Sequence, residues 1–221
     1  MNNIPYYCFR IWPKLCFKWY TFWNKLFFGL IGIEYGKHLR VGNKVYVLGH
    51  GTVKIGDSFT FLSGDSINPI CRNIRGSIFV PRNESRIIIG DRVGISSACL
   101  WAHESITIGN DVNIGGDCLI MDNDAHPHDF MKRRAAYEKI VGRQAYHNDI
   151  PSSPIVIEDD VWIGARCQIL KGVHIGARSI IAAGSVVTKD IPSDVIAGGN
   201  PCRVIRMQNV FENSNFISTN D

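Results

Sequence analysis

The chain has 221 residues, with 24 lysines and arginines against 20 aspartates and glutamates, so its formal net charge is +4. Hydrophobic residues make up 45% and charged residues 20%, a composition that excludes a largely disordered chain and a collagen-like one. Seven scattered cysteines without a Cys-x-x-Cys pair argue against a disulfide framework and a structural zinc cluster, and they indicate a reducing, cytoplasmic compartment.

The first predicted element is an amphipathic α-helix in a basic, aromatic segment, residues 1–35. Residues 1–33 hold four basic side chains and no acidic one, and they hold 11 of the 23 aromatic residues. At about 100° per residue, Lys14, Lys18 and Lys25 share one narrow stripe of this helix. Lysines interrupt every window of about 20 residues that could span a membrane. Two interpretations stay open: a helix lying on a membrane surface, or a helix packed on the body or on another subunit. Four cations are too small a footprint for nucleic acid.

Residues 36–207 are assigned to one domain because an apolar residue recurs at every sixth position. The unbroken part of this series is Ile157, Ile163, Ile169, Ile175, Ile181 and Val187. A period of six fits neither a helix nor a single strand. It predicts an all-β solenoid, a parallel β-helix in which three short strands form each coil of about eighteen residues.

An earlier block of the repeat is less regular. It includes Ile95 and Trp101 and resumes, after one extra residue, at Ile108. We expect these side chains to point inward, with Cys99 in a small inward slot between them. Glycines that follow the aliphatic residues, such as Gly115, are expected at turns with unusual backbone angles.

The repeat stops after Ile120 and resumes at Ile157, which predicts a long inserted loop over residues 126–156. Loops held by a rigid scaffold commonly carry function, and histidine is well suited to accept a proton near neutral pH. The loop opens with His126 and His128, and either could be a general base.

Polar side chains before the loop are the candidate substrate contacts. Asp122 and Asp124 could orient the imidazole or bind sugar hydroxyls, or they could simply solvate the loop. His103 is expected to stack against Asp122 in the neighbouring coil and to border the acceptor site.

Three segments add a more specific signal: VWIG at 161–164, AAGSVVTKDIP at 182–192 and GNPCRVI at 199–205. With these segments the chain resembles the left-handed β-helix acyltransferases of the galactoside, maltose and nodulation-type O-acetyltransferase subfamily. The resemblance is good over 85–207 and loose over 36–84. It implies a left-handed coil, homotrimers with active sites between subunits, acetyl-CoA as the donor and no metal.

The resemblance also implies roles for individual residues. The catalytic base of the family is a histidine at this break followed by proline, which matches His126. Ser96 matches a polar substrate contact. The residues that match the acetyl-CoA site are Trp162 at the thioester end, Ala165 and Ala183 along the pantetheine arm, and Thr188, Lys189, Arg203 and Arg206 around the adenine nucleotide.

We therefore expect an acetyl-CoA-dependent O-acetyltransferase that modifies a hydroxyl of a sugar or polysaccharide precursor. Residues 1–33 would give it a peripheral contact with the inner face of the cell membrane, and residues 208–221 would form a C-terminal tail. One alternative is N-acetylation of a sugar nucleotide or acetylation of a xenobiotic. Others are a zinc lyase like the γ-carbonic anhydrases, with His103, His126 and His128 as ligands, and a non-catalytic scaffold.

Overall fold

The computed structural model describes residues 6–64, 74–137 and 149–208. These residues contain helix α1 (Tyr6–Leu30), helix α2 (Phe130–Tyr137) and 20 short strands. The strands are β1 (Glu34–Tyr35), β2 (Arg40–Gly42), β3 (Tyr46–Gly49), β4 (Thr52–Ile55), β5 (Thr60–Leu62), β6 (Ser77–Val80), β7 (Arg86–Ile89), β8 (Gly94–Ser96), β9 (Cys99–Trp101), β10 (Ser105–Ile108), β11 (Asn113–Ile114), β12 (Leu119–Met121), β13 (Ile155–Ile157), β14 (Trp162–Ile163), β15 (Gln168–Leu170), β16 (His174–Ile175), β17 (Ile180–Ile181), β18 (Val186–Val187), β19 (Val195–Gly198) and β20 (Arg203–Met207). The predicted tail lies outside the described residues apart from Gln208, and the predicted insertion is described only over 126–137 and 149–156.

Every third strand belongs to the same sheet, so the chain winds around three sides. Sheet A has the order β1-β4-β7-β10-β13-β16, sheet B the order β2-β5-β8-β11-β14-β17-β19-β20, and sheet C the order β3-β6-β9-β12-β15-β18. All pairs are parallel except β19 with β20. The parallel β-helix predicted from the six-residue period, and the left-handed coil implied by the resemblance, are confirmed.

Inward side chains, mostly aliphatic, fill the interior of the coil, and several strands of sheet A contribute two, such as Ile106 and Ile108 of β10. On sheet C, Ile120 pairs with Leu100 on one side and Ile169 on the other, and all three are fully buried. Equivalent ladders run through Ile95, Ile114 and Ile163 on sheet B and through Ile89, Ile108 and Ile157 on sheet A. The hydrophobic ladders therefore hold each coil in register with its neighbours.

The predicted register is wrong by one residue in the coil that contains β9. Leu100, not Trp101, is the inward residue, and Ala98, not Cys99, fills the small inward slot. Trp101 instead lies on the outer face against Phe79, with ring centroids 5.2 Å apart. The irregularity arises because this coil has one residue fewer before Leu100 and a longer corner after it.

The glycines after the aliphatic residues also have a different reason from the predicted one. Positive φ angles occur instead at non-glycine corner residues such as Asp111 (58°) and Arg166 (61°). A Cβ atom on Gly115 would lie 2.5 Å from the backbone nitrogen of Ala165, and one on Gly164 would lie 2.6 Å from that of Ala183. These glycines are therefore required by the close approach of the next coil.

Helix α1 covers the open N-terminal end of the coil. The Thr21 hydroxyl bonds both the carbonyl (3.0 Å) and the amide (3.1 Å) of Val41 on edge strand β2. The Asn24 side-chain amide donates to the Asn43 carbonyl at 2.9 Å, and Phe28 is buried in the core. The helix thus satisfies free backbone groups that would otherwise be exposed at a sheet edge.

Candidate active site

The insertion leaves and re-enters the coil at one point on the corner between sheets C and A. The Asp124 amide donates to the Pro151 carbonyl at 3.1 Å, and the Ser153 amide donates to the Asp122 carbonyl at 2.8 Å. The Ser152 hydroxyl also donates to the Glu104 carboxylate at 2.6 Å. These bonds fix both ends of the insertion to the coil.

His126 is exposed and directly follows the anchored start of the insertion. A tight turn presents it: the His126 amide donates to the Asp124 carbonyl at 2.6 Å, and the intervening Ala125 has a φ of 60°. Such a three-residue turn is strained for a residue other than glycine, and strained backbone is concentrated at functional sites. The next residue, Pro127, is buried and anchors the chain after the imidazole.

Asp124 is at the centre of a charged cluster beside His126. Its carboxylate accepts from His128 Nε2 at 2.6 Å and from Lys171 Nζ at 2.8 Å. Partial burial raises the pKa of Asp124, but the hydrogen bonds from Lys171 and His128 outweigh this effect, and the pKa lies below its ordinary value. Sequence reasoning missed Lys171 because it lies 47 residues away along the chain.

Asp122 and His103 lie together, but both have 0% of their surface exposed. The Asp122 carboxylate accepts from the backbone amides of His103 (2.6 Å) and Glu104 (2.8 Å) in the preceding coil. Burial raises the pKa of Asp122, although the backbone hydrogen bonds partly oppose this effect. In this arrangement the two predicted substrate contacts are buried parts of the scaffold, because the carboxylate is needed to bind two interior amides.

A groove of about 450 Å³ runs across the outer face of sheet B. Ser96 and Trp162, two predicted site residues, both line it, and Trp162 is 56% exposed. Asn113 lies between them, because it pairs with Gly94 of β8 and with Trp162 of β14. Asn113 is a polar groove residue that the sequence analysis did not single out.

The remaining predicted donor contacts lie on the upper coils. Ala165 follows β14, and exposed Ala183 follows β17, so the two lie one coil apart at the corner between sheets B and C. Arg203 and Arg206 are exposed on β20, at the end of sheet B. Exposed Thr188 and Lys189 follow β18 and therefore lie on the corner between sheets C and A, the corner of His126.

The predicted site residues thus form two columns along the coil. The first contains His126, Thr188 and Lys189, on the corner where sheet C passes into sheet A. The second contains the sheet B groove with Trp162 and the adjoining corner with Ala183. In a three-sided prism the corner between C and A lies opposite side B. One chain therefore does not bring the two columns together.

Within residues 6–64, 74–137 and 149–208, three or more His, Cys, Asp or Glu side chains do not converge on any point that could hold a metal ion. Of the three histidines considered as zinc ligands, His103 is buried, whereas His126 and His128 are exposed.

Comparison with known proteins agrees with the coil. Residues 154–189 match the family model described as bacterial transferase hexapeptide (six repeats). The chain is also 42% identical to the galactoside O-acetyltransferase of Escherichia coli over 115 residues, which are 48% of this chain and 50% of that one. The chain belongs to the hexapeptide-repeat transferases. This hexapeptide-repeat transferase was matched with eight curated relatives, and the match covers between 23% and 55% of each relative's own length.

Two solved structures extend the comparison. The N-acyltransferase AntD of Bacillus cereus, in complex with dTDP-4-amino-4,6-dideoxyglucose and coenzyme A, has a TM-score of 0.62 at 19% identity, over 83% of this chain and 88% of that one. This likeness shows a shared fold. The hexapeptide-repeat-containing acetyltransferase VCA0836 of Vibrio cholerae is 30% identical over 79% of this chain and 73% of that one, with a TM-score of 0.46.

Proposed function

We propose that this protein is an acetyl-CoA-dependent O-acetyltransferase that acts on a sugar hydroxyl of a polysaccharide precursor. The observation that carries the proposal is the position of His126, an exposed imidazole on a strained turn at the mouth of the insertion. The 42% identity to a galactoside O-acetyltransferase supports the same reaction class.

The proposed reaction is direct transfer without an acyl-enzyme. The His126 imidazole accepts the proton of the acceptor hydroxyl while the hydroxyl oxygen attacks the thioester carbonyl carbon. The carbon–sulfur bond then breaks, the acetyl group stays on the sugar oxygen, and the coenzyme A thiolate takes the proton back from the imidazolium. No serine or cysteine nucleophile is required.

Pro127 directly after His126 supports His126 rather than His128 as the base, because the resemblance places the catalytic histidine before a proline. The Nε2 atom of His128 is engaged by the Asp124 carboxylate at 2.6 Å. Asp124 is in turn held by Lys171 of the next coil. We assign Asp124 and Lys171 as positioning residues that hold the start of the insertion.

The groove and the upper coils fit an extended donor molecule. A small side chain at Ala165 and at Ala183 leaves room for the pantetheine arm to lie close to the backbone. Arg203 and Arg206, at the end of sheet B, are exposed cations suited to the phosphate groups. Exposed Lys189 lies on the His126 corner and would reach those phosphate groups from the adjacent copy. Coenzyme A and acetyl-CoA occur in solved structures of relatives with this fold or repeat.

We further propose that the protein acts as a homotrimer with active sites between subunits. His126 and the Trp162 groove lie on opposite parts of the prism, so a complete site requires a second copy. In a cyclic trimer, the His126 corner of one copy would meet the groove of the next.

The proposed location is the cytoplasm, with peripheral contact between residues 1–33 and the inner face of the cell membrane. Within the described residues, including all of α1, no helix combines the length and the apolar character needed to cross a bilayer.

N-acetylation is the second candidate function. It is favoured by the fold shared with AntD, whose complex holds an amino sugar linked to a nucleotide. The two candidates differ only in the acceptor atom, because a histidine base can serve an amine as well as a hydroxyl.

The decisive experiment measures coenzyme A thiol release from acetyl-CoA with a panel of sugars, amino-sugar nucleotides and amine-bearing antibiotics. We expect turnover with a sugar hydroxyl, and we expect H126A to lower kcat by roughly two to four powers of ten, the usual contribution of a general base. Donor affinity of H126A should equal that of the unchanged protein. H128A is the matched control and should keep most of its activity. Preference for an amine acceptor would reject O-acetylation, and full activity of H126A would reject the proposed base.

A further inference from the structure

The outward face of helix α1 is an interaction surface that the proposed reaction does not use. We propose that this face lies flat on a membrane containing anionic lipids and that the coil stands away from that membrane. This inference rests on the proposed peripheral location, and it adds the contacting face, the class of lipid and the orientation of the molecule.

One side of α1 is already occupied by the coil. Thr21 and Asn24 bond the backbone of the first coil, Phe28 is in the core, and the Arg40 guanidinium lies 5.2 Å from the centre of the Phe17 ring. These four helix positions, 17, 21, 24 and 28, follow a spacing of four, three and four, so they form one stripe of the helix.

The opposite side of α1 is apolar and exposed. Its residues and their exposed fractions are Leu15 (54%), Trp19 (61%), Phe22 (61%), Trp23 (46%), Leu26 (47%) and Leu30 (77%). Positions 15, 19, 22, 26 and 30 repeat the spacing of the packed stripe on the far side of the helix. We call these six residues the outward face. An exposed apolar face of this kind marks an interaction site.

Charge favours a membrane over a second copy of the chain or another protein. Lys14 and Lys18 are exposed and Lys25 is partly exposed, and all three lie along one edge of the outward face. Residues 1–33 contain no acidic side chain that could pair with the same stripe on a second copy. A cationic edge beside an aromatic apolar face is the arrangement of helices that lie in the interface of an anionic bilayer.

The aromatic composition supports the same partner. Trp19 packs edge-on against Trp23, with ring centroids 5.6 Å apart, and Phe22 does the same at 5.6 Å. Tryptophan is enriched where a protein meets the headgroup region, because it joins a large apolar ring to a polar N–H.

A groove beside the outward face provides room for lipid hydrocarbon. It has a volume of about 510 Å³ and lies between α1 and the first coil. Trp23 and Phe27 line its helix side, and Val45, Tyr46 and Lys44 line the other. An acyl chain entering here would place its headgroup near the Lys44 ammonium group.

This orientation separates the membrane from the candidate active site. Because α1 caps the first coil, its outward face points away from the coil along the coil axis. His126 follows β12, which is the third strand after β3 in sheet C. At the usual spacing of neighbouring strands, β12 therefore lies roughly 15 Å from the first coil. With the width of a helix added, a membrane-anchored acceptor would have to reach roughly 25 Å from the surface.

The experiment is flotation of the full chain with vesicles of phosphatidylcholine, alone or with about a third of phosphatidylglycerol. We expect strong flotation only with the anionic vesicles. W19S/F22S/L26S should lose flotation. K14Q/K18Q should weaken binding to anionic vesicles roughly 25-fold, since each cation near such a surface contributes about fivefold. F130S/M131S is the matched control, because it removes equally exposed apolar side chains from α2 (55% and 57% exposed).

The substituted side chains are exposed, and circular dichroism and size-exclusion chromatography would show that each variant keeps its fold. Failure of the unchanged protein to float with anionic vesicles would overturn the inference, as would equal flotation of W19S/F22S/L26S. An oligomer that W19S/F22S/L26S disrupts without any vesicle binding would assign the face to a second copy instead. Flotation needs no turnover, so H126A should float like the unchanged protein, and loss of acyl transfer is a separate result.

Discussion

Lys171 and Asp124 join two successive coils at the corner that carries His126, with Nζ 2.8 Å from the carboxylate. Their side chains are only 32% and 26% exposed, so this ion pair is better shielded than most surface pairs. Lys171 contacts both carboxylate oxygens of Asp124, and Oδ2 also accepts from His128. The Asp124 carbonyl accepts from the His126 amide. The pair thus ties the start of the insertion to the coil above it.

Replacing Lys171 by methionine should loosen this corner without removing a reacting group. We expect kcat to fall roughly tenfold, because a small misplacement of a catalytic group is costly, while KM for acetyl-CoA stays close to normal. Initial rates of thiol release at varied acetyl-CoA concentration measure both constants. R178M removes a comparable ion pair, that of Arg178 with Asp194 at the corner between sheets A and B. This control variant should leave kcat unchanged.

The same variant gives a pH test of Asp124. The folded-state pKa of Asp124 is below its ordinary value, so its stabilising contribution is complete above that ordinary value and is lost as pH falls through the folded pKa. At pH 7, K171M should lower the free energy of unfolding by about 1 kcal/mol. Urea unfolding should show this difference shrinking toward zero as pH falls through the lowered pKa of Asp124. A difference that is constant with pH would contradict the assignment.

Asp122 should matter for stability rather than for binding. D122A leaves two interior amides without an acceptor, and we expect a loss of roughly 2–4 kcal/mol in the free energy of unfolding. The matched control is D57A, since Asp57 also accepts from a backbone amide, that of Lys37 at 2.7 Å, but on the exposed surface. D57A should cost less than about 1 kcal/mol, because water can replace the lost bond. Equal losses in urea unfolding would contradict this account.

Much of the fold follows from the sequence because one physical rule repeats. Each side of the coil must bury at least one apolar residue, so Ile163, Ile169 and Ile175 reveal the solenoid without any knowledge of contacts. The rule fails at Trp101, where the coil changes its corner length. The six-residue count alone cannot tell whether the extra residues fall before or after an apolar side chain.

The inward and outward positions should differ sharply in their tolerance of substitution. I169A removes a fully buried side chain that pairs with Ile120 and Val187, and we expect a loss of about 2–5 kcal/mol. Q168A changes the exposed neighbour on the same strand and should stay within about 0.5 kcal/mol. Thermal or urea unfolding of the two variants measures the contrast. Similar losses would show that the coil is not closed around the predicted ladder.

The candidate site could be predicted only in part, because its geometry depends on contacts between coils. The break in the repeat locates His126, since an interruption is visible in the sequence itself. The partner of Asp124 is not visible, because Lys171 meets it only after the chain has returned from the insertion. The burial of His103 and Asp122 is not visible in the sequence either, because nothing in the spacing shows that Asp122 binds the backbone amides of His103 and Glu104.

We propose that His126 of one copy works with the sheet B groove of another, and co-assembly of two inactive variants separates this arrangement from a site within one chain. H126A removes the base, and A183W places a bulky ring on the exposed donor corner next to the groove. Each variant alone should be nearly inactive, and an equal mixture reassembled from dissociated chains should recover about a quarter of the unchanged turnover, the share of interfaces that pair two intact halves in a cyclic trimer. If the mixture stays inactive while both variants co-assemble, the site lies within one chain and the claim is wrong.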